Sequence, residues 1–284
     1  KGGNQMNTET FCTYETAWCP GCGNFVILEC LKSALEELGK DPSDVLVAAG
    51  IGQAAKTPQY ISVNTFCGLH GRSLPAAAAA KIANENLTVI VDTGDGDSYG
   101  EGGNHFIHNI RRNVDITHFV HDNQIYGLTK GQASPTSMLG LKTPVQVDGN
   151  NNEPLNPVLL AIACGAGFVA RAFTGHKEHL VAVMKQAIEY NGYALVDILQ
   201  PCVSFNKTNT FAWYNQRVYE LDEAYDCHDK ISAIQKAMEF DERIPIGVLY
   251  QEDKASFHQK NVVLKQGIPL LDRQTDSSYV DQLI

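Results

Sequence analysis

No apolar run in this sequence is long enough to cross a bilayer. The longest, Pro157 to Ala170, is interrupted by Cys164, Gly165 and Gly167 and stops at Arg171, well short of the ~20 residues a spanning helix needs. It reads as a buried helix passing into a strand. The opening residues, Lys1-Gly2-Gly3-Asn4-Gln5, lead into polar sequence without the apolar stretch of a secretory signal, so a cytoplasmic chain is expected. Basic residues are the minority charge: 22 Lys and Arg face 32 Asp and Glu, a net charge of −10. That balance argues against a general nucleic-acid coat, although Arg111-Arg112 is locally basic. Internal repeats and low-complexity segments are lacking as well. Cysteine is not scarce. Eight occur, at 12, 19, 22, 30, 67, 164, 202 and 227, in a chain of 284 residues that is too large to depend on disulfides for its core. A reducing compartment fits them best. Cys30 and Cys164 fall in apolar surroundings and are expected as packing, while Cys12 and Cys227 have no assignment.

What the chain does contain is alternation. Asn24 to Lys40 places Phe25, Leu28, Leu31, Leu35 and Leu38 at three- and four-residue spacing with Gly39 as a stop, which predicts an amphipathic helix. Val45 to Ala49, Leu87 to Val91, Ile116 to Val120 and Leu195 to Leu199 are short apolar, mostly β-branched runs that close on polar or glycine-rich turns, as buried parallel strands do. Leu74 to Asn84 and Lys177 to Tyr190 supply helices between them. The result is an α/β fold, a parallel sheet with helices on both faces, whose ligands bind at the carboxyl ends of the strands. Residues 1–205 form that domain, with an N-terminal loop in front. Residues 206–284 read as an irregular extension with one clear helix near Asp229 to Glu239, packing on the domain or on a partner subunit.

The strand Leu87 to Val91 runs into Gly94-Asp95-Gly96-Asp97, and the next strand delivers His121-Asp122-Asn123, with Asn123 28 residues after Asp95. That interval is one helical crossover. Magnesium holding a diphosphate prefers hard oxygen ligands, few of them from protein. The Asp95 carboxylate, the Asn123 amide oxygen and the Ile125 carbonyl would supply them. Glycines let the backbone approach phosphate, and Tyr99 to Gly103 would present N–H groups at the start of the crossover helix. A Gly-Asp-Gly sequence alone is a common turn, but the strand, Gly-Asp-Gly, helix, strand, Asn arrangement resembles the thiamine-diphosphate signature.

Trp18-Cys19-Pro20-Gly21-Cys22-Gly23 sets two thiols in a glycine-rich loop at a spacing that suits one soft metal centre. A zinc site needs two more ligands at matching spacing, and no second C-x-x-C exists; Cys227-His228 is a poor substitute. A thioredoxin-like dithiol has Gly-Pro rather than Pro-Gly between its cysteines and follows a hydrophobic strand, where this chain has Thr13-Tyr14-Glu15-Thr16. The third reading is a [4Fe–4S] cluster completed by distant cysteines, with Cys202, after the strand Leu195 to Leu199, as a candidate.

Several segments occur in one order: Trp18 to Asn24, Gly50-Ile51-Gly52, Leu69-His70-Gly71-Arg72, Gly94 to Asp97, His121-Asp122-Asn123, Tyr126 to Thr136 and Leu199-Gln200-Pro201-Cys202. The ordered set resembles beta subunits of 2-oxoacid:ferredoxin oxidoreductases over about Trp18 to Asn206. The resemblance implies oxidative decarboxylation of a 2-oxoacid with coenzyme A to acyl-CoA, carbon dioxide and reduced ferredoxin, and the same site would serve the reverse reaction. It implies thiamine diphosphate with Mg2+ on Asp95, Asn123 and Ile125. The cofactor contacts extend over Gly94, Gly96, Asp97, Gly127, Leu128 and Thr129. His70 and Arg72 either touch the cofactor or form a structural turn. It implies a cluster on Cys19, Cys22 and Cys202. Where many relatives continue Gly-Ile-Gly with a cluster-binding cysteine, this chain has Gln53, so Cys67 is either the replacement ligand or mere packing beside an altered cluster.

The version of Tyr126 to Thr136 found here resembles that of relatives accepting 2-oxoglutarate or a broad range. Lys130 is then expected to meet the distal carboxylate of the substrate, or else to be a solvated surface lysine. Lys56 is expected to help bind substrate or coenzyme A. An alpha subunit is implied as an obligate partner that brings the glutamate activating the aminopyrimidine. Two other classes remain: a non-oxidative thiamine decarboxylase or synthase, which would not need the three cysteines, and a binding module whose thiols switch with redox state and which takes no thiamine.

Overall fold

The computed structural model describes residues 9–12 and 14–274, so the polar opening Lys1 to Gln5 lies outside the described residues. In chain order the principal elements are α1 (Asn24–Glu37), β1 (Val45–Ala49), β2 (Asn64–Cys67), α2 (Ser73–Ala83), β3 (Thr88–Gly94), α3 (Gly103–Arg112) and β4 (Ile116–Asp122). After a long loop follow α4 (Pro157–Ala163), β5 (Phe168–Phe173), α5 (Lys177–Glu189) and β6 (Tyr193–Leu199), then α6 (Phe211–Asn215), β7 (Val218–Glu220), α7 (Lys230–Met238) and β8 (Ile244–Gln251). The eight strands form one sheet in the order β2-β1-β3-β4-β6-β5-β8-β7.

Side-chain alternation along the central strands divides the core in two. On one face Val45, Val47, Ile90, Phe119, Val196 and Ile198 meet the apolar stripes of α1 and α5. The intervening residues Ala48, Val89, Val91, Val120, Val169 and Leu195 meet α2, α3, α4 and α7 on the other. Each fully buried Leu, Ile or Phe contributes about 1.5–3 kcal/mol, which is why β4, β5 and β6, buried along their whole length, anchor the sheet. Helix α1 buries Ile27, Leu31 and Leu35 and ends where Gly39 adopts φ +63, the left-handed turn a helix stop requires.

Three features depart from expectation. The segment after Phe205 is not merely an irregular extension, because β7 and β8 complete the sheet. Strand β8 also runs antiparallel to β5, so the sheet is mostly parallel rather than wholly so. Finally, β2 pairs with β1 at the sheet's edge with all four residues exposed, leaving no apolar pattern to reveal it. Among the described residues no helix is long and apolar enough to cross a membrane.

Candidate active site

Strands β1, β3, β4 and β6 are mutually parallel neighbours, so the loops leaving their carboxyl ends share one edge. There a cavity is walled by the loop after β1, the Gly94–Asp97 turn after β3 and the Asn123–Thr129 loop after β4. Ten of the eleven residues expected around the cofactor line it: His70, Gly94, Asp95, Gly96, Asp97, Asn123, Ile125, Gly127, Leu128 and Thr129. Arg72 does not. It is exposed, and its guanidinium lies 2.6 Å from Nε2 of His105, because the turn after Gly71 sends it outward.

Two buried carboxylates organise this cavity in different ways. Oδ2 of Asp95 accepts hydrogen bonds from Ser134 Oγ (2.5 Å) and Thr136 Oγ1 (2.7 Å), and burial raises its pKa above the ordinary carboxylate value. Oδ1 of Asp97 accepts from the backbone N–H groups of Ile51 (3.0 Å) and Gly71 (2.8 Å), with Nδ1 of His70 at 2.6 Å. Asp97 thus ties the loops after β1 and β2 to the loop after β3. Its Oδ2 lies against Gly50, where a Cβ would approach it to 2.1 Å. In the loop after β4, Gln124 takes φ +57, and the Ile125 N–H donates to Oδ1 of Asn123 at 2.9 Å. This tight turn sets the side chain of Asn123 and the backbone of Ile125 together in the wall. Tyr126 lies over Gly96, where a Cβ would fall 2.1 Å from its ring. Oxygen donors with close backbone fit a magnesium-held diphosphate in donor chemistry.

Next to this cavity is a second recess, whose walls include Cys19, Cys22 and Cys202. The turn Cys19–Cys22 is closed by the Cys22 N–H on the Cys19 carbonyl (3.0 Å). Gln200 Nε2 donates to Cys22 Sγ at 3.3 Å. Burial, with the nearby thiols of Cys202 and Cys19, pushes Cys22 up from its ordinary value. Among the described residues no three His, Cys, Asp or Glu side chains are grouped as ligands of a single ion. A cluster that distributes its thiolates over separate irons does not ask for such convergence, and three thiols around one recess suit it. Gln53, Asn123 and Gly127 belong to the walls of both cavities.

The family described as "Thiamine pyrophosphate enzyme, C-terminal TPP binding domain" matches residues 45–198, and the family of C-terminal regions of the pyruvate ferredoxin oxidoreductase beta subunit matches residues 202–266. The chain is 45% identical over 258 residues to the 2-oxoacid:ferredoxin oxidoreductase subunit beta of Saccharolobus solfataricus, covering 86% of this chain and 85% of that one. The chain belongs to the 2-oxoacid:ferredoxin oxidoreductase beta-subunit family. A 2-oxoglutarate oxidoreductase subunit KorB from Mycobacterium tuberculosis is 44% identical over 192 residues, 68% of this chain and 52% of its own. A solved structure, 2-oxoglutarate:ferredoxin oxidoreductase from Magnetococcus marinus with 2-oxoglutarate, coenzyme A and succinyl-CoA bound, matches with TM-score 0.92 at 33% identity, over 99% of this chain and 96% of that one.

Some residues expected at the site of this beta subunit lie outside both cavities. Cys67 is exposed at the end of the edge strand β2 and lines neither; its register partner is Ala49, on the outer side of β1. Lys130 is exposed, with φ +80, in the turn where its N–H meets the Gly127 carbonyl at 3.2 Å. Lys56 is half-buried on the short 3-10 turn Ala54–Gln59. Conversely, Tyr126, Ser134, Thr136 and Gln200 take part in the site although no residue-level signal marks them. The first three lie within the Tyr126 to Thr136 segment, and Gln200 is two residues before Cys202, so the sequence shows their segments but not their contacts.

Proposed function

We propose that this beta subunit holds thiamine diphosphate through Mg2+ on Asp95, Asn123 and the Ile125 carbonyl, beside a [4Fe–4S] cluster on Cys19, Cys22 and Cys202. With an alpha subunit it oxidises a 2-oxoacid, 2-oxoglutarate favoured, using coenzyme A as acyl acceptor and ferredoxin as electron acceptor, in the cytoplasm. The observation that carries the reading is the common wall: Gln53, Asn123 and Gly127 separate the diphosphate cavity from the cysteine recess by one layer of residues. When bound, thiamine diphosphate supplies decarboxylation chemistry and the cluster supplies one-electron transfer. The residues of the chain do the positioning. Ser134 and Thr136 orient Asp95, Asp97 fixes the loops over the diphosphate, and Tyr126 covers Gly96.

The glutamate that activates the aminopyrimidine comes, in this reading, from the alpha subunit. Lys130, exposed beside the wall residue Thr129, attracts the distal carboxylate in this reading, and Lys56 meets the acid or coenzyme A. Residues 1–205 act as the catalytic unit; beyond them β7 and β8 complete the sheet, and the C-terminal extension packs on the domain or on the partner subunit. The test is dye reduction by the purified native complex with a panel of 2-oxoacids. Activity that requires coenzyme A, thiamine diphosphate and Mg2+, with the highest kcat/KM for 2-oxoglutarate, is expected. Decarboxylation by a colourless preparation that reduces no dye would instead make it a non-oxidative thiamine enzyme.

A further inference from the structure

Two of the segments that wall the cysteine recess carry thiols, and the loops after β1 and β4 do not. Cys19 and Cys22 come from the N-terminal loop and Cys202 from the loop after β6, whereas the loop after β1 brings Gln53. Among the described residues the walls contain no fourth Cys, and no His, Asp or Glu. A cubane cluster normally takes four protein ligands, one at each iron. Gln53 has the chemistry and the freedom to be the fourth. Its Oε1 is buried without a hydrogen-bond partner, which for an amide oxygen costs roughly 1–3 kcal/mol unless something meets it. Its backbone is fixed at the recess, since Trp18 Nε1 donates to the Gln53 carbonyl at 2.8 Å.

Gln200 is the competing amide, because its Oε1 is likewise buried and unpartnered. Its Nε2, however, already donates to Cys22 Sγ at 3.3 Å. That places Gln200 behind a thiolate that holds an iron of its own. Gln53 stands on a wall that provides no thiol, and the same residue lines the diphosphate cavity; Asn123, on the other such wall, already uses its amide oxygen to accept from the Ile125 N–H at 2.9 Å.

We propose that Gln53 ligates the fourth iron of the cluster through its amide oxygen. The inference rests on the cluster reading given above. A neutral oxygen holds iron more weakly than a thiolate does, so this corner, on the side of the diphosphate cavity, is the labile one. It also leaves the cluster one unit less negative than four thiolates would, which raises its reduction potential.

The experiment compares anaerobically purified native complex with Gln53→Ala, Gln53→Cys and Gln200→Ala. The readouts are iron and sulfide per chain, electron paramagnetic resonance and redox titration, with thermal unfolding to show that each variant is folded. Wild type and Gln200→Ala are expected to hold about four irons. Gln53→Ala should lose one of them as Fe2+ and, once the remaining three-iron cluster is oxidised by one electron in the redox titration, give the spectrum of an oxidised three-iron cluster, while Gln53→Cys should keep all four at a lower midpoint potential. Unchanged iron content and spectrum in Gln53→Ala would overturn the assignment while leaving the cluster standing. Loss of one iron in Gln200→Ala instead would overturn it in favour of that residue. A wild-type complex whose beta subunit binds no iron would overturn the cluster reading and this inference together.

Discussion

At the scale of single residues, one tight constraint is the stacking of Tyr126 on the backbone of Gly96. A methyl group there would sit 2.1 Å from the ring, and relieving such overlap typically costs about 1–3 kcal/mol. Gly96→Ala should therefore displace Tyr126 and weaken thiamine diphosphate binding by about tenfold or more, roughly 1.4 kcal/mol, measured by calorimetric titration in the presence of Mg2+. Lys130 makes a prediction of another kind. An ammonium that meets a distal carboxylate recognises 2-oxoglutarate and has nothing to meet in pyruvate. Lys130→Ala should raise KM for 2-oxoglutarate about tenfold, the ~1.4 kcal/mol expected of a charge-assisted contact, and leave KM for pyruvate nearly unchanged. Equal effects on both acids would remove Lys130 from substrate recognition. These residues differ in how legible they are. Asp95 and Asn123 can be found because a strand end and a fixed interval deliver them to one edge. The contact of the outward-turned Arg72 is with His105, 33 positions along the chain, and no local pattern records it.

The elements carry a titration of their own. His118 on β4 is wholly buried, with Nδ1 2.6 Å from the Tyr193 hydroxyl and Nε2 2.8 Å from Ser98 Oγ. Burial lowers its pKa from 6.5 to about 3. Below the unfolded value the unfolded chain takes up a proton that the folded chain refuses. The stability due to neutral His118 is thus complete above pH 6.5 and is lost as pH falls towards 3, by up to about 1.4 kcal/mol per pH unit. In urea unfolding between pH 6.5 and about 5, His118→Gln should show a slope shallower than wild type by about that amount. Strand β4 itself is readable from sequence because Ile116, Phe119 and Val120 make a short β-branched and aromatic stretch that closes on a polar turn. Strand β8 is not, since Pro245 and Gly247 interrupt Ile244, Ile246 and Val248 and read as a turn. Pro245 is accommodated because the β5 ladder ends at Gly247, so β5 asks no N–H of it, and its carbonyl accepts from buried Arg171 at 3.4 Å. Only partners distant in the chain make a strand of that segment.

For the molecule as a whole, Phe173 and Leu199 pack with Tyr214, Ile244 and Ile246, so the sheet's own core crosses the position where the periodic pattern fades. A chain ending at Phe205 should leave the β5 edge open and those side chains bare, a combination that favours aggregation. Its soluble yield should fall at least tenfold relative to the full chain, judged by fractionation and size-exclusion chromatography; a soluble monomer with native circular dichroism would refute this. The placement of the two cavities has a consequence for anyone who redesigns the protein. With Gln53, Asn123 and Gly127 forming a single party wall, a substitution meant to tune one tenant disturbs the other. Electron affinity and cofactor grip are expected to move together across a library at these three positions, while variants elsewhere in either cavity change them one at a time.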